Sequence, residues 1–166
     1  MSRTLVIMRH AKAEQPESTE DFARPLADRG RRDAAEAGNW LAGEKLIPDL
    51  VLCSPAMRTR TTWHEVAIAM ATAVGGGGST VQYETDLYYH GLGAALRLIR
   101  GIDPAVRTLL VVGHNPTVSA LSLRLDDGAR RREQGLKTAG IAVHEVSSTW
   151  AECAYATLIA SHTPRG

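Results

Sequence analysis

LVIMRHAKAE, residues 5–14, joins an unbroken apolar run to a cation and an imidazole. Leu5 to Met8 does not alternate, which marks a β-strand buried on both faces, as in a parallel sheet covered by helices. The expected strand is Thr4 to Met8. Arg9 and His10 then fall at its carboxyl end, where open α/β sheets bind their ligands. A core strand leading into two polar side chains reads as a rigid post holding chemistry in fixed geometry.

The rest of the chain supports this reading. Its 166 residues favour one domain with one core, so 1–166 is expected to be a single unit. A composition 44% hydrophobic and 22% charged argues for a globular fold and against disorder. The formal net charge of +1 gives no global field for nucleic acid, so any anion specificity is local. The apolar run before Arg9 is too short for a signal-peptide core, and no stretch approaches a membrane span. Cys53 and Cys153 are the two cysteines, far apart and outside any C-x-x-C motif, which fits a reducing cytoplasm.

Strand and helix patterns alternate. Asp28 caps a helix expected over 29–42, with Ala34, Ala37 and Leu41 on one face. Asp49 to Cys53 is a second strand. Ser54-Pro55 reads as the N-cap and N1 pair of a helix over 56–73, whose Trp63, Val66, Ala67 and Met70 share a face. GGGGS at 75–79 is a loop, and Thr80 to Glu84 a third strand. Leu92, Ala95, Leu96 and Ile99 mark a helix ending near Gly101. Thr108 to Val112 is a fourth strand, and Asn115-Pro116 opens a helix to Leu125. Residues 126–137 read as a loop. Ile141 to Val146 and Trp150 to Ile159 read as a closing hairpin. The expectation is an α/β three-layer sandwich, its central sheet mostly parallel with helices on both faces.

Three expected strand ends carry chemistry. The first bears Arg9 and His10. The second bears Ser54-Pro55, with Arg58 one turn later and Thr62 on the same helical face. The fourth bears Gly113, His114 and Asn115. Converged, they offer guanidinium groups, imidazoles and helix N-termini, a set suited to a tetrahedral phosphoryl group. Singly, each has a plain structural reading: a hydrogen-bonded histidine, a snorkelling or solvated arginine, an ordinary helix start. His64, His90, His144 and His162 lack such company and read as surface or structural. A metal held by His10 and His114 has no H-x-H or H-E-x-x-H support, and two arginines would repel it.

Arg9-His10-Ala11 resembles the Arg-His-Gly signature of the histidine phosphatase (phosphoglycerate mutase-like) superfamily, with alanine in place of the usual glycine. MRHAKAE, RPLADRG, LCSPAMRTRTTW and VVGHNP, in that order, resemble its short SixA-type branch of phosphohistidine phosphatases. The resemblance spans residues 4–146 and implies a phosphoglycerate mutase-like fold and a hydrolase needing no metal or other cofactor. It implies His10 as the nucleophile and Arg9, Arg58 and His114 as ligands of the phosphoryl oxygens, with Arg24 nearby. Asp86 in ETDLYYHG corresponds to the acidic proton donor, with Glu84 competing for the place. Neighbouring arginines are expected to hold His10 neutral, below its usual pKa of about 6.5. The partner is then a phosphorylated protein, carrying phosphohistidine, or a small phosphorylated molecule, with no nucleic acid or membrane. Two alternatives stand beside protein phosphohistidine hydrolysis: a phosphatase of small metabolites, and a catalytically weak phosphate-binding module.

Overall fold

The computed structural model describes residues 2–76, 78–126 and 135–165. Residues 127–134, most of the stretch read as a loop at 126–137, lie outside the described residues, as does Gly77 of GGGGS. The elements are β1 (Arg3–Arg9), a 3-10 turn (Asp21–Ala23), α1 (Asp28–Gly43), β2 (Leu50–Cys53), α2 (Met57–Val74), β3 (Thr80–Tyr83), α3 (Asp86–Tyr89), α4 (Leu92–Arg100), β4 (Thr108–Gly113), α5 (Thr117–Leu125), β5 (Ile141–Val146) and β6 (Thr157–His162). Six strands form one sheet in the order β3-β2-β4-β1-β5-β6. The β1–β4, β2–β3 and β2–β4 pairs are parallel, and β1–β5 and β5–β6 are antiparallel.

β1 shows why its central residues, Leu5 to Met8, are apolar without alternation. Leu5 and Ile7 face one core, with Ile99 of α4 and Val118, Leu121 and Leu125 of α5. Val6 and Met8 face the other, with Ala34, Ala37 and Leu41 of α1 and Trp63, Val66 and Met70 of α2. All four side chains are essentially inaccessible to solvent. The α/β sandwich with helices on both faces is therefore the observed architecture. The small residues of α1 let it lie close to α2: a Cβ on Gly38 would meet the Val66 carbonyl oxygen at 2.5 Å.

Some boundaries differ from the sequence reading. Asp28 is the first helical residue and Ala27 precedes it; α2 starts at Met57, not directly after Ser54-Pro55; β3 ends at Tyr83. Shifts of one or two residues are ordinary at element ends. The closing hairpin is a larger correction. β6 begins at Thr157, seven residues later than expected, and Trp150 lies in the connection. The Trp150 indole is buried and its Nε1 donates to the Val106 carbonyl at 2.8 Å, so this apolar residue anchors a loop to the core. The backbone of Ala156 likewise donates to Leu125, at 2.7 Å.

In the sheet register Arg9 stands opposite Gly113 and Cys53 opposite Val112. The residues that follow β1, β2 and β4 therefore emerge together at one edge. The ladder runs on by one bond there, from His10 N to Gly113 O at 3.0 Å and from Ser54 N to Val112 O at 3.1 Å.

Candidate active site

His10 is held by its own neighbourhood. Its Nδ1 lies 2.7 Å from the Ala11 carbonyl oxygen. A carbonyl only accepts, so Nδ1 carries the proton and Nε2 keeps its lone pair. The ring is 8% exposed. Burial lowers its pKa to about 4, with Arg58, Arg9 and Arg24 adding repulsion against the imidazolium and the Ala11 bond opposing the shift. The sequence reading had the direction; burial, rather than the arginines, is the larger cause. Ala11 is fully buried, and its N–H donates to Thr62 Oγ1 at 2.9 Å while that hydroxyl donates to the Arg58 carbonyl at 2.7 Å. Thr62 thus ties the end of β1 to the first turn of α2.

Arg58, in that turn, is 6% exposed. Its Nη1 donates to the Asp21 carbonyl at 2.7 Å and its Nη2 to Asp21 Oδ2 at 3.0 Å. The same carboxylate accepts the Tyr88 hydroxyl at 2.7 Å and Arg24 Nη1 at 3.1 Å, and Arg24 Nε donates to the Glu14 carbonyl. The Tyr88 bond first, then Arg24 and Arg58, hold the Asp21 carboxyl well below the usual carboxylate range. Asp21 is therefore an anchored anion, and the phenol it binds is correspondingly harder to ionise.

His114 closes the group. Its ring centroid is 5.3 Å from that of His10. Its Nε2 lies 2.7 Å from Ser54 Oγ, which also accepts a long bond from Ala56 N. The Ser54 hydroxyl is fully buried and meets no other acceptor among the described residues, so it donates to Nε2 and leaves the His114 proton on Nδ1. Burial, then Arg58 and His10, lower the His114 pKa to about 3. Arg9 Nη1 reaches the Leu136 carbonyl at 3.3 Å. Arg9 Nε, Arg58 Nε and His114 Nδ1 are buried without a hydrogen-bond partner among the described residues. Buried donors are ordinarily paired, because an unpaired one costs about 1–3 kcal/mol. Three unpaired donors thus gather around a histidine whose Nε2 keeps its lone pair. Cys53 is no rival nucleophile, since burial pushes its thiol up to about 12. Among the described residues no three His, Cys, Asp or Glu side chains are placed to hold a metal ion.

Residues 5–75 match the model of the histidine phosphatase superfamily (branch 1). The uncharacterized protein Rv1276c of Mycobacterium tuberculosis is 38% identical over 167 residues, covering 95% of this chain and 100% of its own. A candidate phosphohistidine phosphatase SixA from Nakamurella multipartitia superposes with a TM-score of 0.84 at 32% identity, over 100% of this chain and 98% of its own. This chain belongs to the histidine phosphatase superfamily. Phosphohistidine phosphatase SixA of Escherichia coli is 29% identical over 124 residues, 74% of this chain and 73% of its own.

Against that family, the residues singled out in the sequence divide into two groups. Arg9, His10, Arg58 and His114 stand together, and Arg24 joins them through Asp21. Asp86 opens α3, two residues before Tyr88, and its half-exposed carboxylate lies 3.8 Å from His90 Nε2. Glu84 follows β3 and is fixed by its backbone bond to Cys53. Ser54, read at a chemistry-bearing strand end as a helix cap, faces His114 instead. Two members of the cluster were not read from sequence. Asp21 and Tyr88 sit in stretches without periodicity. Their one local signal is spacing: Asp21 lies three residues before Arg24, and Tyr88 is in the segment scanned for acids. Among the described residues no helix is long and apolar enough to cross a membrane.

Proposed function

We propose that this protein is a metal-independent phosphatase that works through a phosphohistidine on His10 and acts on phosphohistidine in proteins. The observation that carries the reading is the neutral, tautomer-fixed His10 beside three unpaired donors. The similarity to SixA proteins supports the substrate class.

In the first step His10 Nε2 attacks phosphorus and the bond from phosphorus to the leaving nitrogen breaks. The leaving imidazole takes a proton from solvent at its second nitrogen and departs neutral. Arg9, Arg58 and His114 bind the equatorial oxygens as charge builds on them. In the second step water attacks the phosphorus on His10. Inorganic phosphate leaves, and His10 recovers its free Nε2. Asp86 has the role of proton donor when the leaving group is an alkoxide, which needs one, and Glu84 is the competing residue.

Kinetics on a phosphohistidine peptide and on alkyl phosphates test the proposal. The N–P substrate should turn over with the higher kcat/KM. Faster hydrolysis of alkyl phosphates would replace this reading with a small-metabolite phosphatase. Phosphate binding without turnover of either would leave a binding module.

A further inference from the structure

A row of aromatic rings runs from the candidate nucleophile to solvent. His10 neighbours His114 at 5.3 Å between centroids, and Tyr88 meets His114 edge-on at 5.6 Å. Phe22 meets Tyr88 edge-on at 5.1 Å, and Tyr89 does so at 4.8 Å. Phe22 is 38% exposed and Tyr89 68% exposed. The chain has one Phe and four Tyr, so its only phenylalanine and half of its tyrosines stand at this mouth. Exposed apolar rings grouped beside a polar site mark a place that receives a ligand.

The chemistry of the row narrows that ligand. The Tyr88 hydroxyl is committed to Asp21, so Phe22 and Tyr88 offer ring surface rather than hydrogen bonds to a polyol. Edge-to-face and offset contacts extend such a row to one more planar ring. We propose that Phe22, Tyr88 and Tyr89 form a subsite for a planar aromatic leaving group, and that this subsite selects ring-bearing phosphoryl donors over ringless ones. The proposal rests on the phosphatase reading above and specifies its substrate. An imidazole attached to phosphorus is the biological group that fits.

Four donors separate ring from bond type. Phosphohistidine has a ring and an N–P bond, and phosphoramidate has the bond without the ring. Phenyl phosphate has a ring and an O–P bond, and ethyl phosphate has neither ring nor N–P bond. Each is assayed with wild type, Phe22→Ala, Tyr89→Ala and Phe22→Trp. Both alanine variants should lose about three- to tenfold in kcat/KM on the two ring-bearing donors, the scale of one aromatic pair. Their change on the ringless donors should stay within about twofold, and Phe22→Trp should retain ring preference. Tyr89 is exposed enough that its removal spares the fold. A uniform loss on all four donors in Tyr89→Ala, or no loss on any, overturns the subsite. The wild-type order of N–P against O–P donors bears on the phosphohistidine reading alone, so either idea can fail without the other.

Discussion

At the residue scale, the account turns on which nitrogen of each imidazole carries its proton. Ser54 sets this for His114 by donating to Nε2, so Ser54→Ala should reduce kcat about tenfold, the scale of one buried hydrogen bond. Ser54→Thr should restore most of it by replacing the hydroxyl. Full activity in the alanine variant would show that the His114 tautomer is set elsewhere. Burial holds His10 at a pKa of about 4, so its ring should stay neutral through pH 6.5 and titrate only as pH drops through about 4, read from imidazole NMR shifts. Titration near pH 6.5, with the fold intact by circular dichroism, would contradict the buried, neutral His10. For the proton donor, Asp86→Asn should slow alkyl phosphate hydrolysis roughly a hundredfold or more and phosphohistidine hydrolysis far less. If Glu84→Gln produces that pattern instead, the role passes to Glu84. Four cluster members were legible in sequence because each follows or caps a recognisable strand end. Asp21 and Tyr88 were not, since they reach Arg58 and His114 through chain folding that carries no period.

At the element scale, the strands and long helices were readable because burial imposes a pattern on them. The centres of β1, β2 and β4 are unbroken apolar runs where helices cover both sheet faces, and α2 repeats its apolar residues at helical spacing. The segment from Trp150 to Ala156 was misread because a buried Trp in a loop looks like one in a strand until its indole partner, Val106, is known. α3 is a single turn, too short to show a period. The glycine of RPLADRG acquires a physical reason only in three dimensions. A Cβ on Gly30 would meet the Lys12 carbonyl oxygen at 2.1 Å, against the segment that follows His10. Gly30→Ala should therefore destabilise the protein by about 1–3 kcal/mol, the usual range for overpacking, measured by urea denaturation. Loss of activity should accompany it, because the displaced segment follows His10, the proposed nucleophile. Unchanged stability would mean that α1 tolerates a shift away from Lys12.

At the scale of the whole molecule, site and stability are linked through protons. His10 and His114 have folded pKa values of about 4 and about 3, below the 6.5 of a free imidazole. Between those values the unfolded chain binds more protons, so stability rises with pH there. Their contribution is complete above about pH 6.5 and is lost as pH falls through about 4 for His10 and about 3 for His114. Replacing His10 with Asn should flatten that part of the pH–stability curve, as read from denaturation midpoints. The sheet brings β1, β2 and β4 to a common edge, and the proposed function has one histidine at that edge accept a phosphoryl group amid fixed donors. Rapid quenching of wild type with a labelled phosphoryl donor tests this most directly. Label should appear on His10, lost in acid and kept in alkali, and be absent from His10→Ala. Label on a serine or aspartate, or steady turnover by His10→Ala, would contradict it.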